Sequence, residues 1–169
     1  LSYVLQEFRA SVAVKESILG DAAFTEQVTK MGHLLIDCYE AGNKLLVAGN
    51  GGSAADAQHI AAEFVSRFNF DRPGLPALAL TTDTSILTAA GNDYGFDEVF
   101  ERQLRALARP GDLLVMHSTS GVSENLLRVA RAAGTLDVRT VALLAKGGGP
   151  LADLVDLALI VPTRSTARA

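Results

Sequence analysis

The chain has 169 residues, 49% of them hydrophobic and 20% charged, and a formal net charge of −4 at pH 7. Such a balance suits one folded domain and argues against disorder, while the acidic sign argues against nucleic acid as a main partner. No apolar run approaches the roughly 18 residues a membrane span needs, so the reading is a protein without membrane segments.

Two helices lead. Val4, Phe8, Val12 and Leu19 recur at near-helical spacing within residues 3–19, and Gly20-Asp21 breaks the pattern. Phe24, Val28, Met31, Leu35 and Tyr39 then step by threes and fours through residues 22–41, with Gly42 as the stop. His33, in this amphipathic stretch, is assigned to structure. Cys38, the single cysteine, can form no intrachain disulfide and reads as a buried structural thiol in a reducing cytoplasm. The start, Leu1-Ser2-Tyr3-Val4, lacks the layout of a signal peptide.

Then the period changes. Residues 44–48, 77–80, 112–116, 139–144 and 157–161 are short runs, apolar on both faces. Helical stretches at 54–68, 84–90, 95–107 and 122–133, and a short one at 149–154, separate them. Buried strands alternating with helices predict an α/β domain with a doubly wound parallel sheet. Ligands bind such sheets beyond the carboxyl ends of the strands, and the candidate site segments fall there.

The first segment is Gly49-Asn50-Gly51-Gly52-Ser53, between a strand and a helix. Its glycines let backbone approach a ligand closely, and Ser53 is placed to cap the helix and offer a hydroxyl. An ordinary strand-to-helix turn is the alternative; three glycines in four positions favour a binding loop. On the helix that follows, His59 and Glu63 stand four apart on one face. They suit two ligands of a divalent metal or an acid–base pair, against a plain surface hydrogen bond. Gly91-Asn92-Asp93, after Thr81-Thr82-Asp83-Thr84, reads on its own as a structural turn.

Ser118-Thr119-Ser120-Gly121-Val122-Ser123 brings four hydroxyls to a helix N-terminus, where unpaired N–H groups and the helix dipole favour an anion. A helix cap needs only one of them, so the loop is read as a phosphate site. His117, just before it, is read as a neutral strand-end histidine rather than a charged phosphate ligand.

Together these blocks, in order and spacing from Gly49 through His59, Glu63, Arg72-Pro73 and Gly91–Gly95 to Gly121, resemble the phosphoheptose isomerases of the sugar-isomerase (SIS) family over nearly the whole chain. The resemblance implies a single SIS domain with a five-stranded sheet of order 2-1-3-4-5, helices on both faces. Residues 1–42 would form a helical pair packing on the core and in oligomer contacts, and residues 43–169 the sugar-phosphate-binding core. It further implies interconversion of sedoheptulose 7-phosphate and D-glycero-D-manno-heptose 7-phosphate through an enediol(ate), supplying heptose for lipopolysaccharide. Asn50, Gly51, Gly52 and Ser53 would line the substrate site, with Asn92 and Asp93 on the sugar and Ser118, Thr119, Ser120 and Ser123 on the phosphate. His59 and Glu63 match zinc ligands, and Glu63 also the catalytic acid–base. A cytoplasmic homotetramer with sites at subunit interfaces is implied as well.

Two departures accompany the match. The family continues past Pro162 into a helix carrying a Gln and a His that complete the metal set, so the 169-residue chain alone is expected to lack turnover and the natural chain to extend further. His117 stands where relatives carry a small or aliphatic residue. The rivals are a noncatalytic SIS scaffold, such as the replication-initiator-associating relatives, and an SIS domain for another sugar phosphate. Glu63, absent from those scaffolds, favours the enzyme.

Overall fold

Side chains alternate across a strand, so a strand apolar at every position must be covered on both faces. The computed structural model, which describes residues 2–169, has that arrangement; Leu1, the first residue of the expected helical pair, lies outside the described residues. Five parallel strands, β1 (Leu45–Gly49), β2 (Ala77–Ala79), β3 (Leu113–Ser118), β4 (Arg139–Leu144) and β5 (Leu157–Ile160), stand in the order β2-β1-β3-β4-β5. The helices are α1 (Ser2–Leu19), α2 (Ala22–Glu40), α3 (Gly52–Val65), α4 (Thr84–Asp93), α5 (Val99–Leu107) and α6 (Glu124–Thr135). The fold is the expected single doubly wound domain.

Alternation divides the core in two. Leu46, Ala48, Leu114, Met116, Ala142 and Leu144 face one way, onto α4, α5 and α6. Leu45, Val47, Leu113, Val115, Val141 and Leu159 face the other, onto α2 and α3. Of the leading helices, α2 supplies the packing, through buried Cys38 and half-buried Phe24, Met31, Leu35 and Tyr39. Helix α1 buries none of its residues: Tyr3 and Phe8 are each 69% exposed. An ion pair from Glu7 to Arg168 joins it to a short 3-10 turn at Thr166–Arg168.

The strands' N-terminal ends are closed by polar bonds within the chain. Asp112, 1% exposed, accepts hydrogen bonds from the Lys44 backbone N–H (3.0 Å), Lys44 Nζ (2.5 Å) and the Arg109 N–H (2.7 Å). Asp156 accepts from the Thr140 N–H (2.7 Å) and hydroxyl (2.8 Å). These carboxylates tie β1 to β3 and β4 to β5 at the end away from the loops.

Several boundaries differ from the sequence reading, each for a local reason. Helix α3 starts at Gly52, ahead of 54, and stops at Val65, after which Asn69 takes a positive φ of 60° inside a small Phe68–Phe70 bridge. Helix α4 runs to Asp93 rather than residue 90, so Gly91-Asn92-Asp93 is its last turn and not an open turn. The 95–107 stretch is a 3-10 turn (Phe96–Glu98) leading into α5, and β3 continues through His117 and Ser118. Helix α6 begins at Glu124 because Gly121, at φ +66°, turns the chain before it.

Candidate active site

Strand β1 delivers the glycine loop and β3, beside it, the Ser/Thr loop. At Gly49 a Cβ would lie 2.7 Å from the Ser53 carbonyl oxygen, so strand end and helix start meet backbone to backbone. Gly51, at φ +57°, is the N-cap of α3 and makes no side-chain bond. Ser53 is thus inside the first turn, its N–H bound to the Asn50 carbonyl at 3.1 Å; the expectation that Ser53 caps the helix is corrected. Asn50 exchanges amide hydrogen bonds with Asn125 of α6, at 3.0 and 2.9 Å, which couples the two loops.

In the second loop Ser118 Oγ accepts the Gly121 N–H at 3.0 Å, giving the turn its shape. A Cβ on Gly121 would fall 1.7 Å from the Gly148 carbonyl oxygen, so only glycine lets this loop rest on the 147–149 turn. Ser123 is the N-cap of α6, yet its side chain makes no cap bond. Its hydroxyl is left for something else. Asn50, Ser53, His117, Ser118, Thr119, Ser120, Ser123 and Leu126 enclose a hollow of about 90 Å³. Hydroxyl donors, open N–H groups and the α6 dipole make this hollow suited to a phosphate.

His117 forms part of the hollow's wall. It is 8% exposed, and its Nε2 is buried without a hydrogen-bond partner. Burial holds its pKa below the ordinary histidine value, against an opposing pull from the Asp56 carboxylate. The same ring, with Ser53, Asp56 and Thr119, borders a second hollow of about 240 Å³ otherwise lined by Phe24 and the β4 and β5 side chains Leu143 and Leu159.

His59 and Glu63 lie further along α3. His59 Nε2 and Glu63 Oε1 are 3.1 Å apart, with side chains 76% and 35% exposed. They edge a groove of about 390 Å³ with Phe64, Phe68, Phe70 and Arg72. The Arg72 guanidinium donates to the carbonyls of Glu63 (2.9 Å) and Phe64 (2.8 Å), folding the segment after α3 back against its end. Glu63 follows Ser53 by ten residues, about 15 Å of helix rise. A seven-carbon sugar phosphate reaches about 10 Å when extended. Within one chain, therefore, the His–Glu pair and the loop hollow are separate places. As for a metal, no group of three His, Cys, Asp or Glu among the described residues is placed to hold one. Two donors fall short of the three or four protein ligands of a zinc site.

Asn92 and Asp93 are also apart from the loops. Asn92 Nδ2 donates to Asp93 Oδ1 at 2.8 Å, and Asp93 borders a hollow with Tyr94 and Arg102, whose guanidinium lies 3.6 Å over the Tyr94 ring. The structure thus gathers Asn50, Ser53, Ser118, Thr119, Ser120 and Ser123 at one place, with Gly51 and Gly52 in the adjoining turn. It leaves His59–Glu63 and Asn92–Asp93 at two others. Sequence reading passed over Asn125 and Asp56. Asn125 was visible as an amide on the apolar side of α6, and Asp56 as a carboxylate midway between Ser53 and His59.

Comparison with known proteins accords with this geometry. A family model described as the SIS domain matches residues 11–145. The chain is 49% identical to a phosphoheptose isomerase of Aneurinibacillus thermoaerophilus, over 98% of this chain and 84% of that protein. It is 51% identical to one of Roseiflexus sp. (strain RS-1), over 98% and 83%. The solved phosphoheptose isomerase from Neisseria gonorrhoeae superposes with a TM-score of 0.91 at 44% identity, covering 99% of this chain and 88% of that one.

Proposed function

The chain belongs to the SIS-domain family and, within it, to the phosphoheptose isomerases, and from that premise we propose how its own residues carry the reaction. It is an isomerase of a heptose phosphate. We infer the pair to be sedoheptulose 7-phosphate and D-glycero-D-manno-heptose 7-phosphate, interconverted through an enediol(ate) for heptose and lipopolysaccharide supply. The observation carrying the reading is the hollow where the glycine and Ser/Thr loops meet.

The phosphate sits in that hollow, held by Thr119, Ser120 and Ser123 hydroxyls and by N–H groups at the start of α6, while Ser118 shapes the turn. Anchoring one end of the sugar confines the reacting carbons, and this positioning lowers the barrier. At those carbons a base must move a proton between C1 and C2, and the half-exposed Glu63 carboxylate, hydrogen-bonded to His59, is suited to it. Asn92 and Asp93, set apart from the loops within one chain, would meet the sugar hydroxyls in this scheme only from a neighbouring copy.

Because Glu63 stands at or beyond the reach of a sugar held by its own chain's loops, the scheme brings Glu63 from a neighbouring copy. A homo-oligomer, by family a tetramer, supplies that neighbour. The apolar residues α1 leaves exposed, Tyr3, Val4, Phe8 and Val12, support such contacts. Zinc belongs to the proposal: His59 and Glu63 would be two ligands, and the ion would steady the enediolate oxygens. Those two residues do not complete a site, and no step above depends on the metal. A cytoplasmic location is inferred too, supported by an unpaired, buried Cys38.

The test is a sedoheptulose 7-phosphate isomerisation assay on the protein beside a Glu63→Gln variant, with sedimentation of both. Loss of kcat by about 10²–10⁴ is expected with assembly unchanged. Undiminished turnover in the variant, or active monomers, would sink the shared-site reading.

A further inference from the structure

The polar groups at the N-terminal ends of the strands are satisfied, as the Asp112 and Asp156 networks illustrate. At the opposite end one is not. Among the described residues, two buried side-chain atoms lack a hydrogen-bond partner: Tyr39 Oη, in the apolar layer beside Phe64, and His117 Nε2, at the loops. A buried donor or acceptor left unpaired is uncommon in folded proteins and calls for a partner such as a ligand or water.

The position of His117 makes its chemistry specific. Leu113 and Val115 point to the α2/α3 side of the sheet, and His117 is the next residue of that row. Phe24 from α2, Leu143 from β4 and Leu159 from β5 surround it in the larger hollow, where an aliphatic side chain would complete the packing. Asp56 of α3 is the charged side chain that borders that hollow with it, and Ala169 lines it as well. On its other side His117 lines the loop hollow with Thr119, Ser120 and Ser123.

We propose that His117 is a substrate-binding residue, its Nε2–H donating a hydrogen bond to the phosphate held by the Ser/Thr loop. The proposal rests on reading that loop as a phosphate site. A phosphate dianion offers only acceptors, so the polar groups that face it must donate. Hydroxyls and N–H groups do so from the loop and the start of α6, and the imidazole adds a further donor. Burial lowers the ring's pKa, and the contact requires the tautomer with its proton on Nε2.

Inorganic phosphate titrated into the wild type, His117→Leu and His117→Gln, followed by calorimetry or ³¹P NMR, tests it, with KM and kcat from the same preparations. The Leu variant should bind phosphate roughly tenfold more weakly and show KM raised to match, with kcat within about twofold. The Gln variant, whose amide N–H reaches near the Nε2 position, should recover most of the affinity. If His117→Leu does not fold, His117→Met supplies the apolar replacement. An apolar variant with wild-type phosphate affinity, and stability equal or higher, would overturn the proposal and make Nε2 the partner of a structural water. Phosphate binding by a wild type that turns over no heptose phosphate would remove the isomerase reading and leave this one standing.

Discussion

The two faces of the sheet are covered unequally. On one, α6 buries seven of its twelve residues, and α5 buries Val99, Phe100, Gln103 and Leu104. On the other, α2 buries only Cys38, α3 only Ala57 and Ala61, and α1 nothing. The groups suited to sugar chemistry follow the thin cover: Asp56, His59 and Glu63 on α3, and His117 on the strand row beneath it. The thick face offers α6's first residues and, at the end of α4, Asn92 and Asp93. One side of the sheet holds the domain together while the other is less completely covered.

The largest effect that would break this contrast is on stability. Leu126, 1% exposed on α6, lies in the thick cover. Leu126→Ala should destabilise the chain by about 2–5 kcal/mol in urea unfolding, at any protein concentration. Phe8→Ala on α1 removes a larger side chain that is 69% exposed. Its effect on a single chain should stay within about 0.5 kcal/mol, with any further loss appearing as a concentration dependence of the midpoint. Equal, concentration-independent losses would mean that the two faces carry the fold alike.

The thick face was also the more legible in sequence. Continuous apolar strands and the Leu126, Leu127, Val129, Ala130, Ala133 stripe of α6 predict buried packing because local period and tertiary burial agree there. The Ser/Thr loop was legible for a related reason: four hydroxyls exceed what a cap uses, and Ser123 indeed makes no cap bond. Helix α1 carries a similar apolar spacing, yet spacing says only that a face is apolar, not what covers it. Asn92 and Asp93 were read as a turn because Gly91 precedes them, but the α4 backbone continues through this glycine. Nothing local showed that Asn50 and Asn125, 75 residues apart, close on each other, since that pairing follows from β1 lying beside β3.

A medium effect sharpens the contrast where α6, on the thick face, joins the site. Ser123 begins α6 without capping it, so Ser123→Ala should leave urea stability within about 0.5 kcal/mol. The same change removes a hydroxyl donor to a charged phosphate, worth about 1.5 kcal/mol and therefore roughly tenfold in KM. A variant that loses stability while keeping its KM would return Ser123 to the packing of α6 and leave its hydroxyl with no part in binding.

The smallest effect concerns His117, where the thin cover meets the loops. Its folded pKa lies below the ordinary histidine value of about 6.5, with burial the main cause and Asp56 opposing. As pH falls through about 6.5 the unfolded chain takes up the proton first and the folded chain resists. Stability tied to this ring is therefore fully present above that pH. It declines on acidification until the folded pKa is reached, below which this ring causes no further loss. Most carboxylates titrate below that window, and His33 and His59 are common to wild type and variant. Urea midpoints measured from pH 7.5 to 5.5 should thus fall more steeply for the wild type than for His117→Gln. Parallel curves would place the ring in solvent. The buried, unpartnered Nε2 would then be no part of the protein in solution, and the thin face would be more open there than in this structure.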